Sequence, residues 1–276
     1  MQKNDNLIGG QWTSFDNYNN NLNPSDTGDV IGGFSYADAG GVEAAVVAAR
    51  AAHEQWRDAT GQVRHDLLDA VGNTIAGRAR EIGQLLSREE GKTLAEGIGE
   101  TMRAAQVFKF FAGEALRIVG DFQASVRPDI DVETSREPVG IVGLITPWNF
   151  PIAIPAWKIA PALAYGNCVI LKPADLTPGC AHVLAQILDE CGCPPGVFNL
   201  VMGRGSVVGE ALVNHARVNA ISFTGSVATG HHIAATCGKM LKKVQLEMGG
   251  KNPVVILNDA DLSVAVPACI NGTFFS

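Results

Sequence analysis

Hydrophobic residues along the first half of the chain recur mainly at helical spacing. The first 35 residues are rich in Asn, Gly, Asp and Ser and favour short strands joined by turns. From residue 39 to residue 116, apolar positions repeat every three to four residues, which is typical of helices that bury one face. The predicted core faces are Val42, Val46, Val47 and Ala49, then Val63, Leu67, Leu68, Val71 and Ile75.

The pattern changes to alternation between residues 121 and 134. Apolar residues alternate with polar ones from Phe122 to Val126 and again from residue 130, with Pro128 between the two runs. Alternation on both sides of a turn residue predicts a hairpin of two antiparallel strands.

After Pro138 the chain alternates between short apolar runs and helical segments. The runs are too continuous for strands with one solvated face, and helical stretches such as 181–189 and 207–214 separate them. This order predicts an α/β fold with a Rossmann-like parallel sheet covered by helices, plus the small antiparallel extension. The predicted strands are residues 139–145, 168–171, 197–201, 220–223, 244–246 and 254–257.

Charge and hydropathy exclude some partners. The net charge of −7 repels phosphates, so we expect no nucleic-acid partner. Every apolar run is shorter than the roughly 18 residues that cross a bilayer, so we expect no membrane span. The polar start of the chain differs from the apolar core of a signal peptide, and we expect a cytoplasmic protein.

The six cysteines do not form a recognisable framework. They contain no C-x-x-C pair, and Cys191 and Cys193 lack nearby residues that would complete four metal ligands. We therefore predict neither disulfides nor a metal site.

Two glycine-rich loops follow predicted strands. Gly203-Arg-Gly205-Ser-Val-Val-Gly209 approximates a phosphate loop, but its third glycine is one residue late, which favours a plain strand-to-helix turn. The segment from Ile221 to Gly230 is a better candidate, because Gly225 and Ser226 precede a helix whose free N–H groups suit a pyrophosphate. A plain turn remains the alternative there.

Three further segments place polar groups at strand ends. In Thr146-Pro-Trp-Asn149-Phe-Pro151, the prolines restrict the backbone around an amide that could donate to an oxyanion, although a structural turn is the alternative. Lys172, at the end of its strand, could hold ribose hydroxyls or could be a solvated lysine. Glu247 precedes two glycines and is a candidate general base, or a solvated carboxylate.

Taken together, these segments resemble the aldehyde dehydrogenase superfamily. The order TPWNFP (146–151), KPAD (172–175), FTGSVATG (223–230) and LEMGGKNP (246–253) is similar to that of the family. Earlier segments fit as well: 8–12 (IGGQW), 23–24, 28–31, 90–92 (EGK) and 136–140 (REPVG). The resemblance covers essentially the whole chain.

The resemblance implies three parts and a set of roles. Residues 1–120 and 138–250 would form the cofactor-binding domain, 121–137 part of an oligomerisation extension, and 251–276 the start of a truncated catalytic domain. The implied cofactor is NAD or NADP, with NAD slightly favoured. The implied roles are Asn149 as oxyanion amide, Glu247 as general base, Lys158 on the proton-transfer path, Lys172 and Asp175 at the adenosine ribose, and Trp148, Gly225 and Ser226 around the pyrophosphate.

The implied reaction is oxidation of an aldehyde to a carboxylic acid through a cysteine thioester. In the family, that cysteine lies well beyond the glutamate in a Gly-Gln-x-Cys segment, which would place it beyond Ser276. Cys269 lacks this context and is expected to be a buried helix cysteine. We therefore expect an inactive fragment of an enzyme that is a homodimer or homotetramer when complete.

Two other function classes compete with the enzyme. A stand-alone nucleotide-binding module is the main alternative, and a structural protein recycled from the fold is the next. Asn149 and Glu247 favour the enzyme, since a pure binder needs neither. Within the family, the chain most resembles bacterial 2-oxoglutarate-semialdehyde (2,5-dioxopentanoate) dehydrogenases, which implies a substrate of that kind. Succinate semialdehyde or an aliphatic aldehyde are the alternative substrates.

Overall fold

Five strands open the chain where its polar and glycine-rich composition predicts short strands, and the fifth is longer than expected, with 11 residues. The computed structural model describes residues 2–251 and 253–274, so Met1, Asn252, Phe275 and Ser276 lie outside the described residues. Strands β1, β5 and β4 form a separate sheet, whereas β2 and β3 extend the edge of the main sheet. The five strands are β1 (Lys3–Asn4), β2 (Asn6–Ile8), β3 (Gln11–Thr13), β4 (Asn17–Asn23) and β5 (Asp26–Tyr36).

Four consecutive helices follow, which confirms the helical periodicity of this region. Thr60 caps the second helix, and Thr93 and Glu96 form a capping box at the start of the fourth. The fourth helix packs against the second and third. The helices are α1 (Ala39–Arg57), α2 (Gly61–Gly77), α3 (Ala79–Glu90) and α4 (Leu94–Ala115).

Two valines expected in the core are instead exposed. Val46 is fully buried, but Val47 is 50% exposed. Adjacent residues on a helix point about 100° apart, so both valines cannot face the same core. Val63 is also 50% exposed, because it lies in the first turn of α2, ahead of the buried row that begins at Arg64.

The predicted hairpin is confirmed as a separate two-stranded antiparallel sheet. Its strands are β6 (Asp121–Ala124) and β7 (Asp131–Thr134), and every residue in them is exposed. The turn lies beside the predicted proline, where Asp129 adopts a φ of 59°.

The main sheet has seven strands in the order β12-β11-β8-β9-β10-β2-β3, and its five later strands are mutually parallel. The central strand β9 is buried at every position, which requires cover on both faces. The predicted α/β fold is therefore confirmed. Its elements are β8 (Ile141–Ile145), α5 (Ala153–Ala164), β9 (Cys168–Lys172), α6 (Pro178–Glu190), β10 (Phe198–Leu200), α7 (Glu210–Asn214), β11 (Ala220–Gly225), α8 (Val227–Lys239) and β12 (Lys243–Met248).

The prediction of a strand at 254–257 is wrong. These residues pair with none of the described strands, and each side chain is at least 50% exposed. A strand requires a neighbour for its backbone hydrogen bonds, and an apolar run cannot supply one. Helix α9 (Leu262–Phe274) follows and contains Cys269, which is half-buried rather than buried as expected, since the described residues of α9 bury no side chain.

The strand order reverses beside β8. From β8 the chain proceeds through β9 to β10 on one side, then crosses to β11 and β12 on the other. The carboxyl ends of β8 and β11 therefore border a topological switch point, where open α/β sheets bind ligands. Separately, the helices of the described part are each too short or too polar to span a membrane.

Candidate functional site

The motifs singled out in the sequence lie along one edge of the main sheet. Because the strands are parallel, all the segments that follow them emerge at their carboxyl edge. The residues there are Trp148 and Asn149 after β8, Lys172 and Asp175 at the end of β9, Gly225 and Ser226 at the end of β11, and Glu247 near the end of β12.

Glu247 and Lys158 border one cavity of about 550 Å³. The parallel register sets Ser222 beside Gln245 and Thr224 beside Glu247, so side chains of β11 and β12 face α5 together. Lys158 reaches this row from α5. The cavity is lined by these polar groups together with Val142, Leu144, Ile154, Trp157 and Pro161.

Lys158 is held by hydrogen bonds across this cavity. Its ammonium donates to Ser222 Oγ at 2.7 Å and to Gln245 Oε1 at 3.2 Å, and Ser222 Oγ donates to Gln245 Oε1 at 2.5 Å. Burial lowers the pKa of Lys158 to about 8, and attraction to Glu247 partly opposes that shift. An amine that titrates near neutrality beside a carboxylate can pass protons.

A second cavity, of about 440 Å³, lies between α7 and α8. One wall is a single π-helical turn, Gly205–Gly209, which precedes α7. The sequence favoured a plain turn for this loop, and the structure shows that it also lines a cavity. The lining includes Ile145, Gly205, Ser206, Gly209, Thr229 and His232.

Lys172 lies near the same turn. Its Nζ is 2.6 Å from Asp175 Oδ1, and its side chain is only 6% exposed. A Cβ placed on Gly205 would lie 4.0 Å from that Nζ. Lys172, which ends a buried strand, therefore places a cation beside the cavity between α7 and α8.

Ser226 occupies the N-cap position of α8. Its Oγ accepts a hydrogen bond from Thr229 N at 3.3 Å and donates to Thr229 Oγ1 at 2.9 Å. The helix start that was expected after Gly225 is confirmed, but the hydroxyl expected as a free donor already has these partners. Its role toward a phosphate stays a prediction.

Asn149 lies on the loop between β8 and α5. The residue is exposed, and its side-chain amide has no hydrogen-bond partner among residues 2–251 and 253–274. Trp148 beside it is 52% exposed. The amide is therefore available to donate to a group bound at this edge.

Sequence reasoning missed one cation near this loop. Arg103 on α4 lines a cavity of about 510 Å³ with Phe150, and another of about 440 Å³ with Trp157. No local motif marks Arg103, because its neighbours in space belong to α5 and the loop before it.

Four of the six cysteines are poor sources of thiolate. Burial raises the pKa of Cys168 and Cys193 to about 12, and raises that of Cys180 and Cys237 as well. Cys191 and Cys193 follow α6, at the opposite edge of the sheet. In the described part of the chain, no group of three or more His, Cys, Asp or Glu side chains is arranged to hold a metal ion.

Comparison with known proteins matches nearly all of the chain to one family. The aldehyde dehydrogenase family model matches residues 12–276. The chain is 45% identical over 274 residues to α-ketoglutaric semialdehyde dehydrogenase of Bacillus subtilis, covering 98% of this chain and 56% of that protein. It is 38% identical over 255 residues to 2,5-dioxopentanoate dehydrogenase of Saccharolobus solfataricus, covering 92% and 53%. The chain thus spans about half the length of the curated relatives it matches.

Solved structures agree with the sequence comparison. A betaine aldehyde dehydrogenase point mutant from Staphylococcus aureus, crystallised with NAD+, superposes with a TM-score of 0.96 at 35% identity, covering 100% of this chain and 57% of that one. An NADP-dependent enzyme of E. coli gives 0.96 at 36% identity, covering 99% and 57%. The resemblance inferred from the motifs is confirmed: the chain belongs to the aldehyde dehydrogenase family.

Proposed function

We propose that the protein containing this chain oxidises an aldehyde to a carboxylic acid with NAD or NADP, through a thioester on a cysteine. The observation that carries the proposal is the cavity that Lys158 and Glu247 both line, beside a loop whose Asn149 amide has no partner among residues 2–251 and 253–274. A module that only binds a nucleotide needs neither a general base such as Glu247 nor an oxyanion donor such as Asn149.

The residues at the switch point fit a dinucleotide. The cavity between α7 and α8 is of a size that ligand sites commonly have. Apart from its own helical turn, no atom of the described residues lies within 4 Å of a Cβ placed on Gly209, so a ligand can approach that backbone closely. Lys172 and Asp175 would hold the adenosine ribose, and Trp148, Gly225 and Ser226 would border the pyrophosphate at the α8 N-terminus. A nicotinamide cofactor held there would supply the hydride acceptor for the oxidation.

Glu247 acts as the general base in this proposal. A carboxylate on an exposed strand end can take a proton from the water that hydrolyses the thioester. The ammonium of Lys158 borders the same cavity and would lie on the path by which the proton leaves. Asn149 donates its amide to the oxyanion that forms at the aldehyde carbon.

The nucleophile is assigned to a cysteine outside these 276 residues. Cys168, Cys180, Cys193 and Cys237 are poor thiolates because burial raises the pKa of each. Cys269 lies on α9, whose described residues bury no side chain and therefore do not position it against the site.

The substrate proposed is a semialdehyde such as 2-oxoglutarate semialdehyde. The relatives of Bacillus subtilis and Saccharolobus solfataricus have names of that class. Such a substrate has a carboxylate at the end away from the aldehyde, and Arg103 places a guanidinium in the cavities beside Phe150 and Trp157.

The resemblance to the family also supports a proposed role for each of three parts of the chain. Residues 1–120 and 138–250 bind the cofactor, residues 251–276 begin the catalytic domain, and residues 121–137 contact another subunit of a homodimer or homotetramer. Supporting the last role, both strands of the hairpin are exposed, including Phe122 at 71%.

Glu247→Gln in the full-length protein tests the proposed function. Because an amide cannot accept the proton from water, we expect a normal first burst of NADH followed by steady turnover slowed by about 10²-fold or more. Rapid mixing with an aldehyde separates the two phases. Glu190→Gln, at the opposite edge of the sheet, is the matched control. Equal loss of burst and steady rates would remove Glu247 from the base role, and a wild-type protein without NADH formation would leave only the nucleotide-binding module.

A further inference from the structure

A buried ion pair lies next to the loop that presents Asn149. Lys92 Nζ is 2.8 Å from Glu100 Oε2, and each side chain is 2% exposed. Glu90 lies 3.8 Å from the same ammonium, with a side chain that is 8% exposed. Ions this deeply buried lose their hydration, so their positions are set by the few groups that they contact.

The sequence places Lys92 there through a reversal of the chain. Helix α3 ends at Glu90 and is capped by Gly91, whose φ of +97° is in the left-handed region that favours glycine. The turn directs Lys92 inward, ahead of the start of α4, and Glu100 lies two turns along α4. The segment Glu90-Gly91-Lys92 is thereby explained as a turn that delivers a buried cation.

Both members of the pair contact the Asn149 loop. Lys92 Nζ donates to the backbone carbonyl of Asn149 at 2.9 Å and lies 4.2 Å from the centre of the Phe150 ring. Glu100 Oε1 accepts hydrogen bonds from Ile152 N at 3.0 Å and Ala153 N at 3.1 Å.

Glu100 substitutes for a missing helix cap. The N-cap residue of α5, Ile152, has no side-chain oxygen, so the first N–H groups of the helix need another acceptor. The Glu100 carboxylate supplies it and is stabilised by the positive end of the α5 dipole. The loop is therefore held at three points. Thr146 N donates to Lys172 O at 3.2 Å, the Asn149 carbonyl accepts from Lys92, and Glu100 caps the start of α5.

These contacts restrain the backbone of Asn149 and leave its side-chain amide unpaired within the described residues. We propose that Lys92 and Glu100 are positioning residues that direct the Asn149 amide toward the oxyanion, an inference that rests on the proposed function. They act through the loop and do not touch the reacting atoms. A general contribution to stability is the competing explanation.

A double-mutant cycle in the full-length protein separates the two explanations. The variants are Lys92→Met, which removes the contact to the Asn149 carbonyl, and Glu100→Gln, which weakens the α5 cap. Each is measured alone and combined with Asn149→Ala. The rate constant of the NADH burst reports the oxyanion step, and the Kd for NAD reports whether the fold is retained. Lys109→Met, which removes an exposed ion pair between α4 and Asp69 of α2, is the matched control.

We expect each variant to lower the burst rate constant by about tenfold or more, within the roughly 10²–10³-fold cost of losing an oxyanion donor, while the Kd for NAD changes less than about twofold. In the Asn149→Ala background, the same substitutions should change the burst by less than about threefold, because the group that they orient is gone. Because Lys92→Met and Glu100→Gln are tested separately, the proposal can still be refuted if one of the two variants does not fold.

An equal fold-change in both backgrounds, or none in either, overturns the positioning role while the proposed function stands. Wild-type protein without a burst, or Asn149→Ala with an unchanged burst, instead refutes the proposed oxyanion chemistry, and the inference falls with it.

Discussion

Replacement of Asp175 by serine should move cofactor preference from NAD toward NADP. In the proposed site, the carboxylate accepts hydrogen bonds from ribose hydroxyls and repels a 2′-phosphate. Asp175 also holds Lys172, whose Nζ lies 2.6 Å from Asp175 Oδ1. Serine removes the repulsion and releases the ammonium to pair with the phosphate, so both effects act in the same direction.

The magnitude follows from charge and exposure. Two unit charges about 4 Å apart repel by about 1 kcal/mol in water and about 4 kcal/mol at the effective dielectric constant of a protein surface. Because the Asp175 side chain is 34% exposed, the lower part of this range applies, about 1–2 kcal/mol, or roughly 5- to 30-fold in the ratio of the two dissociation constants. The shift should shrink as salt concentration rises, since ions screen exposed charges.

The assay is titration of the purified protein with NAD and with NADP at fixed ionic strength. Asp175→Glu is the matched control, because it keeps the charge and should keep the preference for NAD. Asp69→Ser removes an ion pair far from the site and should change neither constant. A ratio that stays within about twofold of wild type in Asp175→Ser would refute the assignment of Asp175 to the ribose.

Three further substitutions test other parts of the structure. Arg103→Gln should lower kcat/KM for a semialdehyde by about tenfold or more, yet by less than about threefold for an uncharged aldehyde of equal length, and equal losses would exclude a carboxylate contact. Burial lowers the pKa of Lys158 from its ordinary value of 10.5 to about 8 in the folded state. The buried ammonium therefore destabilises the folded state below pH 8, and this penalty disappears as the pH rises from 8 to 10.5. Lys158→Met should therefore raise the free energy of unfolding by about 2 kcal/mol at pH 7 and lose that advantage near pH 10, as measured by urea titration at both pH values. Arg64 donates to the carbonyls of Ala164, Arg57 and Ala59. Arg64→Met should therefore lower the free energy of unfolding by about 3 kcal/mol, and a loss below about 1 kcal/mol would show that these hydrogen bonds do not stabilise the fold as proposed.

Several elements were predictable because the pattern of burial along the chain determines them. Strands of a covered parallel sheet are usually continuous apolar runs, so β8, β9, β10, β11 and β12 were all expected from the sequence. The edge strand β12 is nevertheless exposed or only partly buried at every position. The hairpin of β6 and β7 followed from alternation around Pro128. Since these strands are parallel, the sequence also predicted that the polar groups at their ends, from Asn149 to Glu247, would share one edge.

Contacts between distant segments were not predictable from local patterns. The apolar run at 254–257 has strand composition, yet pairing depends on a neighbour that composition does not specify. Glu100 meets Ile152 across 52 positions of sequence, and Arg103 faces the cavities beside Phe150 and Trp157 only because α4 packs against α5. The sequence alone therefore determined which segments form strands, helices and chemically active loops, because burial and backbone geometry act over a few residues. Only the tertiary structure decided which side chains support those loops, since that depends on how separate elements pack.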